Sequence, residues 1–287
     1  MDTSIIFPNL HITLDNVGKG FYIGSFFIAY YGMIIAIGML VGVSFILKEA
    51  KRVGFDEDKF LDICIVTIIV GIIGARLYYV IFAWKYYRDN PISAFNIRQG
   101  GLAIYGAILA GMACLYFICK TKKYEFLKMM DVVVFGVVIG QIFGRWGNFF
   151  NREAFGQYTD GLFAMCIPVG AVRSQSDITT EMLTNVVQVN GVDYVSVHPT
   201  FLYESLWNLA LLVVLLVLRN KKKFEGQLFF TYIAGYGAGR FWIESLRTDQ
   251  LKMWGSSVPV SQVVAAVLVI TGAGFIITNL KKPKEAQ

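Results

Sequence analysis

The chain has 287 residues, of which 56% are hydrophobic and only 16% are charged, and its mean hydropathy is +0.56. A soluble domain typically carries about 25% charged residues, so this composition excludes an ordinary soluble enzyme and indicates a polytopic membrane protein. The net charge of +6 does not indicate a nucleic-acid partner, because the basic residues form short clusters between apolar runs, as topology signals do.

The cysteines predict neither a disulfide framework nor a zinc site. Cys64, Cys114 and Cys119 lie inside apolar runs, and Cys166 has no partner nearby. No glycine-rich phosphate loop is present either, and we expect neither a metal nor an organic cofactor. The first 20 residues are polar and mixed in character, unlike a cleavable signal peptide.

Seven apolar runs are long enough to cross a bilayer as helices, which takes about 20 residues each. In chain order they are 22–47, 60–84, 101–119, 130–149, 200–219, 227–246 and 258–279. Basic residues follow spans one, three, five and seven more often than the other spans, which predicts that those ends are cytoplasmic. This orientation places the N-terminus outside and the C-terminus in the cytoplasm.

Residues 150–199 form the only long loop, which the predicted topology places outside the membrane. Val186 to Val197 alternates valine with other residues around Asn190 and Gly191, and this is the strongest short signal for a β-hairpin. The predicted fold class is therefore all-α and polytopic, with seven transmembrane helices in a single integral-membrane domain over 1–287. A small extracytoplasmic head containing the hairpin is inserted between spans four and five.

Charged groups within the spans are informative, because an arginine at the centre of a bilayer costs at least ~2.5–3.5 kcal/mol. Arg145 lies near the outward end of span four, and Arg240 lies at similar depth in the outer half of span six. Two guanidinium groups that face one cavity suit a phosphate ligand, because each offers several fixed donors. For Arg145, which Asn148 and Asn151 follow closely, a functional role is favoured over a structural one.

Two neighbouring segments carry further polar groups. His198 and Glu204 lie at the outward start of span five, and Tyr236, Arg240 and Glu244 are spaced four apart on one face of span six. Arg240 and Glu244 could equally form an internal ion pair that only holds helices together. A histidine in the position of His198 is more often a cap or loop residue than a base.

Structural alternatives also apply to three other polar residues. Arg76, near the outer end of span two, could extend its side chain to the lipid–water interface. Tyr31 in span one and Tyr105 in span three could belong to an interfacial belt of aromatic residues. Taken alone, each tyrosine is more typical of structure than of catalysis.

The segment from Gly144 to Gly156 reads Gly-Arg-Trp-Gly-Asn-Phe-Phe-Asn-Arg-Glu-Ala-Phe-Gly. It resembles the signature of the bacterial prolipoprotein diacylglyceryl transferase family, Gly-Arg-x-Gly-Asn-Phe-x-Asn-x-Glu-x-x-Gly, at every fixed position. The resemblance extends over nearly the whole chain. Its other matching motifs are Tyr31-Gly32, Gly74-Ala75-Arg76, Gln99-Gly100-Gly101, His198-Pro199-Thr200 with Tyr203-Glu204, and Tyr236-Gly237 with Arg240, Glu244 and Arg247.

The resemblance implies transfer of the sn-1,2-diacylglyceryl group from phosphatidylglycerol to the thiol of a lipobox cysteine in a prolipoprotein. A thioether forms and glycerol phosphate leaves. The implied location is the bacterial cell membrane. The implied partners are phosphatidylglycerol, the signal-peptide and lipobox region of the precursor, and the lipid bilayer.

One position departs from the family pattern. Many members have a His-Gly-Gly motif in span three whose histidine is proposed as the catalytic base, and the matching position here is Tyr105. An unperturbed phenol has a pKa of about 10 and is a poor base at neutral pH. We expect Tyr105 to orient the substrate or to join a proton relay instead.

The resemblance also suggests roles for the polar residues. Arg145 and Arg240 would hold the phosphate and stabilise the charge that develops as it leaves. Either Glu153 or Glu244 would orient these arginines or take the thiol proton, and the sequence does not choose between them. The other residues expected to bind substrate are Asn148, Asn151, Gly156, Tyr31, Tyr236, Arg76, His198 and Glu204.

Two other functions fit the same residues. A transporter or flippase for an anionic lipid would use the arginines without chemistry, and it would need a path open alternately to both sides. A scaffolding membrane protein would use the charges to join helices, and it would tolerate paired apolar replacement of Arg145 and Arg240. The polar groups cluster toward the outer half of the membrane, and together with the resemblance this favours the enzyme.

Overall fold

The computed structural model describes residues 3–97, 100–253 and 256–281. In these ranges the chain is mostly helical. The helices are α1 (Tyr30–Arg52), α2 (Glu57–Phe82), α3 (Ile104–Lys122), α4 (Phe126–Asn151), α5 (Thr180–Thr184), α6 (Thr200–Leu218), α7 (Gln227–Leu246) and α8 (Val260–Leu280). The strands are β1 (Ile5–Phe7), β2 (Ile12–Leu14), β3 (Gly20–Ile23), β4 (Phe26–Ala29), β5 (Met165–Pro168), β6 (Val187–Val189) and β7 (Val192–Val197).

Six helices in the described part of the chain are long and apolar enough to cross a membrane, namely α1, α2, α3, α4, α6 and α8. Helix α7, which covers predicted span six, has 20 residues but is not among the six. Its glycines, its tyrosines and the charged Arg240 and Glu244 make it less apolar than the others. The structure therefore supports a multi-span membrane protein, and the count of seven spans stays a prediction.

The chain divides into two compact units, one formed by Met1–Gly42 with Val134–Gln287 and the other by Val43–Val133. In the first unit, α7 packs against both α6 and α8. In the second unit, α2 packs against α3. Most of the residues that the sequence marked as functional belong to the first unit, and only Arg76 and Tyr105 belong to the second.

The predicted first span began too early in the chain. Residues 20–29 form the strands β3 and β4, which pair antiparallel with Phe21 opposite Ile28, and α1 begins only at Tyr30. Gly24, in the turn between the two strands, has a φ of 60°. A continuous apolar run fits a buried strand as well as a helix, so hydropathy alone could not locate this boundary.

The β-structure is more extensive than the predicted hairpin. The hairpin is present, because β6 pairs with β7, and Asn190 and Gly191 both have the positive φ values of a type I′ turn. β7 also pairs with β5, and β5 pairs with β1, which gives a five-stranded sheet in the order β2-β1-β5-β7-β6. The sequence did not predict β1 and β2, because three residues are too few for a periodic pattern. The placement of this sheet outside the membrane stays a prediction.

One hydrophobic core joins the sheet to the segments that carry the signature motifs. Ile5 from β1 and Val195 from β7 are completely buried in it. Phe149 from the end of α4 and Phe201 from the start of α6 are buried in the same cluster, with their ring centroids 4.8 Å apart. The signature segment and the start of α6 are therefore fixed on the same support.

Helices α2 and α3 of the second unit approach each other backbone to backbone. A Cβ atom added to Gly106 would lie 2.3 Å from the carbonyl oxygen of Gly74, and one added to Gly74 would lie 2.7 Å from the carbonyl oxygen of Gly106. Only glycine fits at this crossing, as is common where membrane helices pack closely.

This crossing predicts a difference between two glycines of α3. Gly106→Ala should lower the free energy of unfolding by about 1–3 kcal/mol, because the added methyl group forces the helices apart. Gly111→Ala is the matched control, since its Cβ would lie at an ordinary 3.7 Å from the Thr67 side chain. The melting temperatures of both variants in detergent measure the effect, and equal values would contradict the packing described here.

Candidate active site

Arg145 and Arg240 meet at one buried carboxylate, that of Glu204. The Oε2 atom of Glu204 lies 2.6 Å from Nη2 of Arg145, and its Oε1 atom accepts a hydrogen bond of 2.8 Å from Nη1 of Arg240. The three residues come from α4, α6 and α7. Because the two oxygens belong to one carboxylate, the guanidinium groups are close neighbours, as the sequence-based hypothesis requires.

The ion pairs continue along the end of α7. Glu244 is buried, and its Oε2 atom lies 2.5 Å from Nη2 of Arg240. Arg247 lies 3.5 Å from Glu204 and pairs at 2.5 Å with Asp249. Three arginines and three carboxylates therefore form one network whose formal charges cancel. This compensation lowers the free-energy cost of burying the network, since a buried charge without a partner is strongly destabilising.

Asp249 is a member of this network that the sequence did not reveal. Burial raises the pKa of its carboxyl group, but the hydrogen bond and the positive charge of Arg247 outweigh burial and leave the pKa below its usual value. Burial lowers the pKa of the Arg247 guanidinium, but Asp249 and the nearby glutamates raise it further than burial lowers it. Both groups are therefore firmly charged. Asp249 lies in a loop, where no periodic pattern marks it.

A second carboxylate, that of Glu153, organises the turn after α4. Its Oε1 atom accepts hydrogen bonds of 3.0 Å from the side-chain amides of both Asn148 and Asn151. Its Oε2 atom accepts one of 2.6 Å from Arg173, a residue that the sequence did not mark. Arg145 donates to the side-chain oxygen of Asn148 at 3.4 Å, which links this turn to the ion-pair network.

Tyr31 lies beside the signature segment. A Cβ atom added to Gly147 would lie 2.6 Å from the Tyr31 ring, so the glycine makes room for this tyrosine. Tyr236, one turn before Arg240 on α7, stacks on Tyr232 with ring centroids 5.7 Å apart. Tyr31 is partly exposed and so has a face available to a ligand.

Gly156 and His198 are joined through their backbones. The amide of Gly156 donates to the carbonyl oxygen of His198 at 2.9 Å, and an added Cβ atom at Gly156 would lie 2.9 Å from the Leu246 carbonyl oxygen. Gly156 therefore acts through close packing, since no side chain fits there. The imidazole of His198 lies 3.3 Å from the hydroxyl of Tyr203, and burial lowers the pKa of His198.

Arg76, in the second unit, binds the backbone of a loop. Its guanidinium group is buried, and all five of its N–H bonds point to backbone carbonyl oxygens at 2.6–3.2 Å. The acceptors are Ser93, Ala94, Asn96, Gly100 and Gly101. Arg76 therefore fixes the loop that leads to α3, and its expected contact with the substrate stays a prediction.

Tyr105 lies in the first turn of α3, in the same unit as Arg76, and is exposed. Its expected role in orienting the substrate or relaying a proton stays a prediction. Gln99, from the motif that precedes this helix, lies outside the described residues.

Comparison with known proteins identifies similar chains. Residues 19–278 match a family model described as prolipoprotein diacylglyceryl transferase. A phosphatidylglycerol–prolipoprotein diacylglyceryl transferase of Clostridioides difficile is 44% identical over 245 residues, which cover 85% of this chain and 88% of the relative. Proteins with the same name from Halalkalibacterium halodurans and Bacillus cereus are 41% and 39% identical, covering 86% and 90% of this chain and 81% and 90% of their own lengths.

The ion-pair network predicts a large effect of removing its central charge. Glu204→Gln should lower the free energy of unfolding by about 3–5 kcal/mol, because it leaves partly buried guanidinium groups without their shared counter-ion. Glu181→Gln, on the exposed side of α5, is the control. Denaturant unfolding in detergent measures both variants, and an unchanged midpoint for Glu204→Gln would contradict the central position of this carboxylate.

The partly buried imidazole of His198 predicts a dependence of stability on pH. The unfolded chain binds a proton at His198 with the ordinary pKa of about 6.5, and the folded chain binds it only at lower pH. The contribution of His198 to stability is therefore fully present above about pH 6.5 and is lost as the pH falls through the lowered folded pKa. The His198→Gln variant lacks this titrating group, so the part of the pH dependence of the melting temperature that is due to His198 should disappear. A pH profile of the variant that parallels that of the unaltered chain would refute the assignment.

Proposed function

Because the chain belongs to the prolipoprotein diacylglyceryl transferase family, we propose that it transfers the diacylglyceryl group of phosphatidylglycerol to the lipobox thiol of a prolipoprotein. The observation that carries this proposal is the meeting of Arg145 and Arg240 at Glu204. A flippase needs charged groups along a path through the membrane, whereas these arginines are tied to one place by a shared carboxylate. The family match favours the transferase over the transporter.

The two arginines are suited to hold the phosphodiester of the lipid. Their side chains are 22% and 16% exposed, so each guanidinium group is fixed by Glu204 and still reaches the surroundings. A phosphodiester carries one negative charge, and the departing phosphomonoester gains a second. Donors that are already fixed around the leaving group stabilise this added charge in the transition state without having to reorganise.

The chemical step is a displacement at carbon. The lipobox sulfur forms a bond to the sn-3 carbon of the diacylglyceryl group, the bond from this carbon to the phosphate oxygen breaks, and glycerol phosphate leaves. The free thiol has a pKa of about 8.5, so forming the thiolate at pH 7 costs only about 2 kcal/mol. A nearby base has to accept just one proton.

Glu153 is the better candidate for this base. Its side chain is 20% exposed, whereas that of Glu244 is only 2% exposed and lies against Arg240. We assign Glu244 the task of orienting Arg240, and Glu153 that of taking the thiol proton. Asn148 and Asn151 hold the Glu153 carboxylate from one side, and Arg173 holds it from the other.

For the membrane topology we propose that α7 also crosses the membrane, as predicted span six, which brings the number of spans to seven. It packs against α6 and α8, both of which are apolar enough to span, so protein covers much of its less apolar surface. With seven spans the N-terminus lies outside and the C-terminus in the cytoplasm of a bacterial cell. The five-stranded sheet then forms an extracytoplasmic head, built from 150–199 and the N-terminal strands, that receives the signal-peptide and lipobox region. The whole chain is one integral-membrane domain.

The proposal predicts a specific loss of transfer. Arg145→Ala should lower kcat by about 10²-fold or more, because one fixed donor group around the leaving phosphate is gone. Arg145→Lys should recover only part of this loss, since an ammonium group lacks the planar pair of donors. The assay follows labelled lipid from phosphatidylglycerol to a lipobox peptide in detergent.

Arg88→Ala is the control for this experiment, because Arg88 is an exposed arginine of the second unit whose ion-pair partner among the described residues is its neighbour Asp89. It should leave kcat unchanged. Near-normal turnover by Arg145→Ala would remove the role proposed for this residue. Movement of phosphatidylglycerol between leaflets without any peptide product would favour the transporter instead.

A further inference from the structure

Glu153 lies in a turn whose backbone conformation is energetically unfavourable. The residues on either side of it, Arg152 and Ala154, have φ values of 52° and 58°, in the left-handed region that residues other than glycine rarely adopt. Two such residues around one carboxylate persist only when the surroundings hold them in place. The structure provides a separate contact for each.

Arg152 is almost completely buried, and its guanidinium group binds backbone carbonyl oxygens. Its Nη2 atom donates to the carbonyl oxygen of Thr3 at 2.6 Å and also to that of Val17, and its Nη1 atom donates to that of Phe150 at 3.3 Å. Thr3 and Val17 flank the β1–β2 pair. One guanidinium group therefore ties both ends of the N-terminal hairpin to the end of α4.

Thr200 holds the other side of the turn. Its side chain is buried at the start of α6, and its hydroxyl donates to the carbonyl oxygen of Ala154. Arg173 adds a third point, because its backbone amide donates to the Arg152 carbonyl oxygen at 3.3 Å while its side chain binds Glu153. The carboxylate is thus set by contacts from α6, the loop after β5 and the N-terminal segment.

We infer that Arg152 and Thr200 are positioning residues, which hold the turn so that the Glu153 carboxylate stays in place to take the thiol proton. The N-terminal segment 3–17 is then part of the support of the active site. The inference rests on the proposed function of Glu153. Position 152 is one of the unspecified positions of the family signature, so the motif itself assigns no role to this arginine.

The hydroxyl of Thr200 allows a test that changes very few atoms. Thr200→Val removes the hydrogen bond and keeps the shape, whereas Thr200→Ser keeps the hydroxyl. We expect Thr200→Val to lower kcat at least tenfold with KM within twofold, and to move the acidic limb of the pH profile of kcat. Thr200→Ser should restore both. Thr121→Val is the control, because its hydroxyl also donates to backbone carbonyls but at the far end of α3.

Arg152→Met and Arg152→Lys test the other side of the turn in the full-length chain. Arg152→Met should lower kcat at least tenfold, and Arg152→Lys should recover part of the activity. Hydrogen exchange of the amides of residues 3–17 gives a readout that is independent of activity, and it should be faster in Arg152→Met than in the unaltered chain.

The outcomes separate the inference from the proposed function. If the unaltered chain transfers no lipid, the proposed function fails, and the exchange rates alone still decide whether Arg152 holds the N-terminal segment. If Thr200→Val and Arg152→Met keep the kcat and pH profile of the unaltered chain, the inference is overturned. It is also overturned if kcat, KM and melting temperature fall together and Thr200→Ser restores none of them, since that pattern reflects a purely structural role.

Discussion

The candidate active site depends on a single carboxylate placed between cations from different helices. Glu204 belongs to α6, and without it Arg145 on α4 and Arg240 on α7 would face each other with like charges. In a poorly solvated region this repulsion would drive the helices or the side chains apart. The carboxylate joins the helices instead and fixes the plane of each guanidinium group. A polar site can therefore exist among apolar helices and still be rigid, as the proposed binding of a phosphate in one orientation requires.

The residues of this network were recognisable from the sequence, because a charge in an apolar run is costly enough to stand out. Arg145, Arg240 and Glu244 were marked on that ground, together with their spacing and the resemblance. The bridging position of Glu204 was not predictable, since hydropathy gives the depth of a residue along a helix but not the direction in which it points. The sequence did not mark Asp249 and Arg173, because both lie in loops, whose paths are set by tertiary contacts.

The same distinction applies to the fold, some of whose elements were predictable from the sequence while others were not. Long apolar helices were predicted from composition with errors of a few residues at their ends, and the Asn-Gly hairpin was predicted from its turn. Strand β1 was missed because its pairing with β5 is a long-range contact that no local pattern records. The partners of Arg76 were not predictable for a related reason: they are backbone carbonyls of a loop, and a sequence does not reveal which backbone groups lack hydrogen bonds.

The pairing of β1 with β5 sets an order for biogenesis. β1 and its neighbour β2 are synthesised among the first residues, but β5, the other partner of β1 in the sheet, follows only after four long helices have been made. Until then the core that buries the apolar side chains of Ile5 and Phe7 is incomplete, because β5 and β7 supply much of it. The five-stranded sheet can therefore be completed only after α1 to α4 have been synthesised, which makes its closure a late event during translation.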